Sequence, residues 1–283
     1  NWENHWQEVA DYMMPRKANI TKRRTRGDKR NELIFDSSPL QALELLAASL
    51  HGMMTNPSTP WFTLKFKDAQ MDQNDEAKLW LESVTADMYT AFNRSNFQQE
   101  IFELYHDLIT FGTAAMYIEE DDEDLLKFST KHIAEIFIAE DDKGRIDTVY
   151  RKFTLSARAL VQKFGDKVSQ NIKVMAEKDP YQDVDILHCV YPRADFNPKL
   201  KDQENMPFES VYLEMGSGDE LSVSGFKEFP YVVPRYLKAS HEIYGRSPAM
   251  TALPDVKMLN EMSKTTIKAA QKQVDPPLLV PDD

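Results

Sequence analysis

A run of residues without Gly or Pro, from Asp255 to Val274, constrains the fold more than any other feature of the chain. Pro suits the first turn of a helix and Asp is favoured near its positive end, so Pro254-Asp255 predicts a helix start. The prolines of Asp275-Pro276-Pro277 cannot continue a helix. The sequence therefore predicts a helix of about 30 Å close to its last residues.

The predicted helix carries four lysines, Lys257, Lys264, Lys268 and Lys272. The last three are spaced by four residues and so share one face. The other residues are mostly small or mid-sized and form no strong apolar stripe. We therefore expect a helix that is too weakly hydrophobic for a core and too polar to cross a membrane. It suits packing against copies of itself, with the lysine row facing water or a polyanion, although a plain surface helix fits the pattern equally well.

Helical patterns dominate the chain before Gly112. Residues 1–14 predict a helix ending before Pro15, and Asp36-Ser37-Ser38-Pro39 predicts the start of another that stops at Asn56-Pro57. The alternation in Trp61–Phe66 predicts a short strand. A long helical region is predicted from about Asp75 to Thr110, ended by Gly112.

Strand patterns dominate after Gly112. Turns are predicted at Asp142–Arg145 and Gly216–Asp219, and one further helix at Ser156–Phe164. The predicted strands are Ala114–Ile118, Leu125–Ser129, Glu135–Ala139, Thr148–Phe153, Ile186–Pro192, Phe208–Glu214, Glu220–Ser224 and Tyr231–Tyr236. Because these strands cluster instead of alternating with helices, the predicted class is α+β.

The charge is uneven along a chain whose net charge is −12. Arg16–Arg30 holds eight Lys or Arg and one acid, and it includes Lys22, Arg23, Arg24, Arg26, Lys29 and Arg30. One interpretation is a phosphate-binding arm. The other is a solvated loop, or an arm that pairs with the acidic surface of a neighbouring subunit. The acidic balance of the whole chain favours the second interpretation.

Motifs for catalysis are missing from the sequence. It has no P-loop, no dinucleotide-binding glycine motif and no nucleophile elbow. Its single cysteine, Cys189, excludes a disulfide framework, and we interpret it as a buried, inert thiol. His106-Asp107 is interpreted as a core or surface pair. The acidic run Glu119–Asp124 lacks the spacing of a calcium loop and is interpreted as a solvated loop at a strand end. We therefore expect no enzyme activity, no cofactor and no metal site.

The two ends of the chain look internal to a longer sequence. There is no initiator Met, an amphipathic pattern is already running at Trp2, and the chain stops just after the apolar run Leu278–Val280. No apolar stretch is long enough for a membrane span, and residues 1–8 do not resemble a signal peptide. We expect the chain to be the middle of a longer protein.

Several blocks in order along the chain resemble a known family. They are Leu46–Phe62, Phe111–Ala114, Asp147–Arg151, Phe229–Tyr231, Tyr244–Met250, Ala252–Asp255 and Pro276–Pro281. Together they resemble the head-to-tail connector, or portal, proteins of short-tailed bacteriophages. No single block is a chemical motif; the specificity lies in their number and order.

The resemblance implies a portal-type fold with a wing, a helical stem, a clip and a crown. Residues 1–245 would form the wing, with a helical part at 1–112 and a strand-rich part at 113–245. Residues 246–275 would form a stem helix and 276–283 the start of the clip, while the rest of the clip, the second stem helix and the crown would follow. The protein would form a dodecameric ring at one capsid vertex of the virion, and would be in the host cytoplasm during assembly.

The resemblance also implies partners and a mechanism. The partners would be other copies of the chain, the capsid or scaffold protein, a tail adaptor, the terminase packaging motor and double-stranded DNA in the channel. An acidic channel wall would repel DNA, and rings of Lys257, Lys264, Lys268 and Lys272 would bind it weakly. Two alternatives stay open at this point: a metal-dependent nuclease with paired carboxylates, and a nucleic-acid-binding module using residues 16–30.

Overall fold

A computed structural model describes residues 2–22, 27–67, 74–200, 202 and 205–276. The chain divides into two compact units. Unit 1 comprises Asn1–Ala114, Pro234–Ser240 and Tyr244–Asp283, and unit 2 comprises Ala115–Val233 and His241–Ile243. Five long helices lie in unit 1 and the named antiparallel strands all lie in unit 2, which confirms the predicted α+β class.

Unit 1 is helical. Its helices are α1 (Trp2–Met13), α2 (Ser38–Met54), α3 (Asp75–Arg94), α4 (Phe97–Phe111) and, at the other end of the chain, α7 (Pro248–Val274). Helix α1 buries Trp6, Val9, Ala10 and Met13, and this spacing places them on one face. It ends before Pro15, as predicted, and Pro15 begins a 3-10 turn. Helix α2 begins at Ser38, as predicted from the Asp-Ser-Ser-Pro sequence.

The strand predicted at Trp61–Phe66 is wrong, because this segment has no ladder partner among the described residues. The Tyr89 hydroxyl replaces a neighbouring strand: it accepts from the backbone N–H groups of Trp61 and Phe62, each at 2.7 Å, and donates to the Phe62 carbonyl. The Trp61 ring also stacks on Phe97. The alternating pattern therefore reflects an extended segment that packs on helices by its aromatic side chains.

The predicted single helical region from Asp75 to Thr110 is two helices. Ser95 has an extended backbone at the break, and its hydroxyl donates to the Phe92 carbonyl and accepts from Phe97 N–H. Gly112 ends α4 in the left-handed conformation, as predicted from its position.

Unit 2 contains two antiparallel sheets. The larger sheet has the order β3-β4-β5-β6-β7, and the smaller has the order β2-β1-β8. The strands are β1 (Ala115–Asp121), β2 (Leu125–Lys131), β3 (Ile136–Glu140), β4 (Ile146–Ser156), β5 (Asp183–Pro192), β6 (Phe208–Glu214), β7 (Glu220–Phe226) and β8 (Tyr231–Val232). All eight strands lie where the sequence predicts them, although the prediction for β8 is too long. Pro234 has no N–H to donate and interrupts the ladder, and pairing resumes after it at the isolated bridge between Thr113 and Arg235.

Two helices pack on the larger sheet. They are α5 (Ala157–Phe164), which the sequence predicts, and α6 (Gln170–Lys178), which is an addition to the prediction. Ser156 and Ser169 cap their N-termini. Their core with the sheet consists of Ala157, Leu160, Val168, Ile172, Ile186 and Leu221. Cys189 is buried on β5, as predicted, and burial raises the pKa of its thiol.

Candidate functional site: the two halves of helix α7

Helix α7 begins at Pro248, so the start predicted at Pro254 is wrong. Ser247 is the N-cap, and its side chain accepts from the Met250 N–H at 2.9 Å. Pro248 then occupies the first helical position, where a missing N–H costs nothing. Pro254 is accommodated inside the helix. The Ser-Pro pair that marks the start of α2 is also present here, and it is the signal that could have located the start of α7.

The proximal half of α7, which we define as residues 248–260, is a core helix. It buries Ala249, Met250, Leu253, Val256 and Asn260 and packs on α1 and α4. The expectation that the whole helix is too weakly hydrophobic for a core is therefore wrong for this half. The prediction failed because it started the helix at Pro254 and so left out Ala249, Met250 and Leu253, which supply much of the buried face.

A close approach of two glycines anchors the start of α7 to the end of α4. A Cβ atom on Gly245 would overlap the carbonyl oxygen of Gly112, and a Cβ on Gly112 would overlap that of Gly245. The Gly245 N–H also donates to the Thr113 hydroxyl at 2.8 Å, and the Ser247 hydroxyl donates to the Thr110 carbonyl at 2.8 Å. Only glycine at both positions permits this contact.

Asn260 is the last buried residue of α7. Its Oδ1 accepts from the backbone N–H groups of Phe35 and Asp36, at 2.7 and 3.3 Å, and its Nδ2 donates to the Leu33 carbonyl at 2.8 Å. One buried amide thus satisfies three backbone groups of the segment that precedes α2. This role could not be recognised from the sequence, because the partners lie more than 200 positions away.

The distal half of α7, which we define as residues 261–274, leaves this core. Ser263 and Lys264 are half-buried, and every other residue of the distal half is exposed. The exposed apolar side chains include Met262 at 60%, Ile267 at 45% and Val274 at 87%. About four turns of helix therefore project their apolar and cationic side chains into solvent.

The four candidate lysines of α7 have different surroundings. Lys257 Nζ lies 2.5 Å from Glu8 on α1. Lys264 pairs with Glu261 at 3.0 Å, and its ammonium lies 5.7 Å from the Phe35 ring centre. Lys268 and Lys272 are exposed and one turn apart on the distal half. The DNA-facing role of all four stays a prediction, and the geometry favours the last two because ion pairs already engage the others.

An apolar groove of ≈330 Å³ runs beside the proximal half of α7. It lies among α1, α2, α4 and α7 and is lined mainly by Met13, Leu43, Leu46, Ile109, Val256 and Leu259. On α2 nearby in the chain, Leu45, Met53 and Met54 are 70%, 76% and 56% exposed. Exposed apolar surface of this extent is typical of a protein–protein contact.

The first lysines of the basic segment Arg16–Arg30 form ion pairs with acids of the same chain. Lys17 Nζ lies 2.6 Å from both Glu103 and Asp107, and Lys22 Nζ lies 2.9 Å from Asp11. Arg30 donates to the Arg16 carbonyl. Lys29 is exposed. Arg23, Arg24 and Arg26 lie outside the described residues, as does the predicted clip entry from residue 277, so the arm as a contact site stays a prediction.

The two acids of α4 that pair with Lys17 have shifted pKa values. Asp107 is fully buried, and burial raises its pKa to about 6 in spite of Lys17 beside it. Burial is the largest single influence on Glu103 and acts to raise its pKa, but the hydrogen bond from Lys17 and the nearby positive charges together lower it. Burial lowers the pKa of His106, which lies 1% exposed near Glu44. The His106-Asp107 pair is therefore a core feature, as interpreted from the sequence.

The acidic run Glu119–Asp124 lies at a strand end, as interpreted from the sequence. It lies partly in β1, and only its last three residues form the turn to β2. No group of three or more His, Cys, Asp or Glu in the described part of the chain could hold a metal ion. Among the helices that are described, none combines the length and the apolar character that a membrane crossing requires.

Comparison with known proteins decides the family. A family model described as "Bacteriophage head to tail connecting protein" matches residues 1–283. The chain belongs to this family. The resemblance of the sequence blocks to head-to-tail connectors is thereby confirmed.

Curated connectors share this similarity over nearly the whole chain. The "Probable portal protein" of Bordetella phage BPP-1 is 34% identical over 286 residues, covering 99% of this chain. The "Portal protein" of Salmonella phage epsilon15 is 35% identical over 287 residues, again covering 99%. In both comparisons the chain spans about half of the relative, 52% of its length.

The connector assignment gives the glycine contact a further meaning. Two of the blocks that carried the family resemblance, Phe111–Ala114 and Tyr244–Met250, lie together at the start of α7. The recognisable sequence therefore coincides with the glycine contact that anchors the start of α7.

Proposed function

We propose that this chain is the wing and first stem helix of a portal subunit, which forms a ring that conducts DNA and connects the capsid to the tail. The observation that carries the proposal is the projecting distal half of α7. An isolated helix of that length is only marginally stable in water. We therefore infer that neighbouring subunits stabilise the distal half by packing against its exposed apolar side chains. The family assignment and the names of the two relatives supply the kind of assembly.

A ring needs two different surfaces on every subunit, because its contacts are head-to-tail. We propose the distal half of α7 as one surface and the apolar groove with the exposed face of α2 as the other. A second copy of the chain would cover both. Met262 and Ile267 on the first surface and Leu45 and Met53 on the second supply apolar area that one copy leaves in water.

The proposed domain assignment retains the wing at 1–245, the stem at 246–275 and the clip entry at 276–283. The finer features of the assembly belong to the same proposal. They are twelve subunits, contacts with capsid or scaffold protein, a tail adaptor and the terminase motor, and a place at one vertex of the virion. The role is structural, with the packaging energy supplied by a separate motor protein. Neither the family nor the described residues support the nuclease alternative.

Electron microscopy of the purified protein tests the ring. We expect end-on views with rotational symmetry, and a mass by native mass spectrometry that is one whole-number multiple of the subunit. Particles that remain monomeric, in the full-length protein as well as in this chain, would contradict the proposal. A Met262→Glu/Ile267→Glu variant should lose the ring while its circular dichroism spectrum stays unchanged.

Retention of DNA in packaged particles tests the lysine row. Each exposed lysine in a ring would be repeated in every subunit, so a small change per chain becomes a large change in the channel. We expect a Lys268→Gln/Lys272→Gln variant to assemble normally and to reduce DNA retention in packaged particles several-fold. A Lys152→Gln/Lys178→Gln variant, which removes the same charge from exposed positions of unit 2, is the matched control. Equal retention in both variants would remove the lysine row from the mechanism.

A further inference from the structure

Unit 2 contains a cavity of ≈310 Å³ to which the proposed function assigns no role. One row across the larger sheet places Arg151 on β4, His188 on β5 and Tyr212 on β6 directly opposite one another. In the smaller sheet, Tyr117 on β1 is opposite Tyr231 on β8. All five side chains line the cavity. The strand register therefore builds the site, since paired residues share one face of a sheet.

The back of the cavity is neutral and tightly packed. The His188 ring stacks on Tyr212 with centroids 3.9 Å apart, and its Nε2 is 2.9 Å from the Ser210 hydroxyl. Burial lowers the pKa of His188 to about 3, so its imidazole carries no charge near neutral pH. Burial also raises the pKa of the Tyr117 and Tyr231 hydroxyls, which stay protonated. The lining therefore offers fixed rings and phenol hydroxyl groups.

Lys163, on α5, supplies an unmatched positive charge. Its ammonium lies 4.5 Å from the Tyr212 ring centre and 5.5 Å from that of Phe164. Within the described part of the chain, no carboxylate lies within ion-pair distance of it. Burial lowers its pKa, although Glu119, farther off, acts in the opposite direction. Lys163 is exposed overall although it lines the cavity, and a bound anion would form a charge-assisted contact with its ammonium.

Arg151 supplies a second, fixed cation. Its Nε donates to Glu135 at 2.9 Å, and its guanidinium lies 3.9 Å from the centre of the Phe153 ring. A guanidinium has five N–H donors, and this ion pair uses the Nε one, so donors remain for a ligand. The carboxylate of Glu135 and the packing on Phe153 hold the group in place, which lowers the entropic cost of binding.

We propose that this cavity binds a carboxylate group between Lys163 and Arg151, with the aromatic walls against the carbon atoms next to it. A carboxylate fits better than a phosphate because the lining sets three cations, Lys131, Arg151 and Lys163, against two carboxylates, Glu119 and Glu135, and the one positive charge in excess matches a monoanion. The volume suits a small organic acid or one acidic side chain, and is at the lower limit for a larger ligand. The carboxylate comes from a free acid or from a protein chain, and the chemistry of recognition is the same.

Saturation-transfer NMR on the purified protein tests the site, because the method reports weak binding to large assemblies. The probes are propionate, the peptide N-acetyl-Gly-Glu-Gly-amide and, as the neutral control, propionamide. We expect propionate or the peptide to bind and propionamide not to bind. Binding of the peptide alone would identify a protein chain as the source, and binding of propionate alone a free acid.

Three variants assign the binding to this cavity. Lys163→Gln should weaken it by about tenfold or more, the loss expected for one charge-assisted contact. Tyr212→Phe keeps the ring and should weaken it a few-fold. Lys152→Gln, a neighbour of Arg151 on β4 that does not line the cavity, should bind as the unmodified protein does. Any of three results would overturn the proposal. They are absence of binding, equal binding by the Lys163 and Lys152 variants, and tighter binding of inorganic phosphate than of propionate.

Discussion

The two halves of α7 belong to one continuous helix but have opposite surroundings. Residues 248–260 bury four apolar side chains and one asparagine, whereas residues 261–274 expose nearly all of theirs. Both halves carry methionine, leucine or isoleucine side chains, so composition alone does not distinguish them. The difference lies in what covers each half. The proximal half is covered by its own chain, and the distal half, in our account, by the neighbouring subunits of a ring.

The largest expected effect tests how the proximal half is anchored. Gly245→Ala would place a methyl group against the Gly112 carbonyl and 3.0 Å from the Cβ of Arg235, and neither neighbour is the far end of a flexible side chain. We expect a loss of about 3 kcal/mol or more in the free energy of unfolding, or failure to fold. The measurement is chemical denaturation of the purified chain.

Gly52 on α2 is the matched control for this substitution. It is exposed and helical, and nothing lies within 4 Å of an added Cβ. Gly52→Ala should therefore stabilise the protein by about 0.5–1 kcal/mol, since Ala is the better helix former. If both substitutions had the same small effect, the glycine contact would not anchor α7.

A pair of methionines compares the two halves directly. Met250 is 8% exposed and Met262 is 60% exposed on the same helix. Met250→Ala should lower the free energy of unfolding by about 2–4 kcal/mol, because it opens a cavity. Met262→Ala should change the unassembled chain by less than about 0.5 kcal/mol but weaken ring formation. Similar losses of unfolding free energy in the unassembled chain would show that both halves are buried alike.

Asn260 marks the boundary between the halves. Asn260→Ala leaves the N–H of Phe35 and the carbonyl of Leu33 without their partner, which should cost about 1–3 kcal/mol. Gln271→Ala, on the exposed half, should be nearly neutral. Urea denaturation measures the free energy of unfolding of both variants. An equally small loss in both would show that Asn260 does not mark the end of the buried half.

The last expected effect, and the most gradual, is a pH dependence in α4, on which the proximal half packs. The pKa of Asp107 is about 6 in the folded protein, whereas the ordinary value for an aspartic acid side chain is 3.8. The folded protein binds this proton more tightly than the unfolded chain does. The contribution of Asp107 to stability is therefore complete below pH 3.8 and is lost as the pH rises through 6. Between these values we expect about 1 kcal/mol of extra stability for each unit of acidification.

Asp107→Asn isolates that contribution, because it removes the titration and keeps the shape. Glu103 and His106 have lowered pKa values and act in the opposite direction, so the informative quantity is the difference between the unmodified protein and the variant. Thermal unfolding from about pH 4 to about pH 7 should show this difference changing with pH. A difference that stays constant would mean that Asp107 titrates as an exposed acid.

The sequence predicted local features well and distant contacts poorly. The strand Phe208–Glu214 was predicted with its observed bounds, because alternation and the Gly-rich turn after it are local signals. The segment Trp61–Phe66 has the same alternation, yet its backbone partner is a tyrosine hydroxyl on a helix. Local pattern cannot distinguish these cases.

The same limit applies to the candidate site. The lysine row followed from spacing alone, whereas Gly245 and Asn260 have partners more than 130 residues away. No periodicity marks either residue. Only the family resemblance drew attention to the block containing Gly245, and nothing in the sequence drew attention to Asn260.

Amide hydrogen exchange across α7 tests the central claim most directly. Assembled and unassembled fractions of the protein would be separated by size and compared peptide by peptide. We predict that the amides of residues 251–260 are protected in both fractions, and that those of residues 264–274 are protected only in the assembled one. Rapid exchange of residues 264–274 in the assembled fraction would contradict the claim that neighbouring subunits cover the distal half.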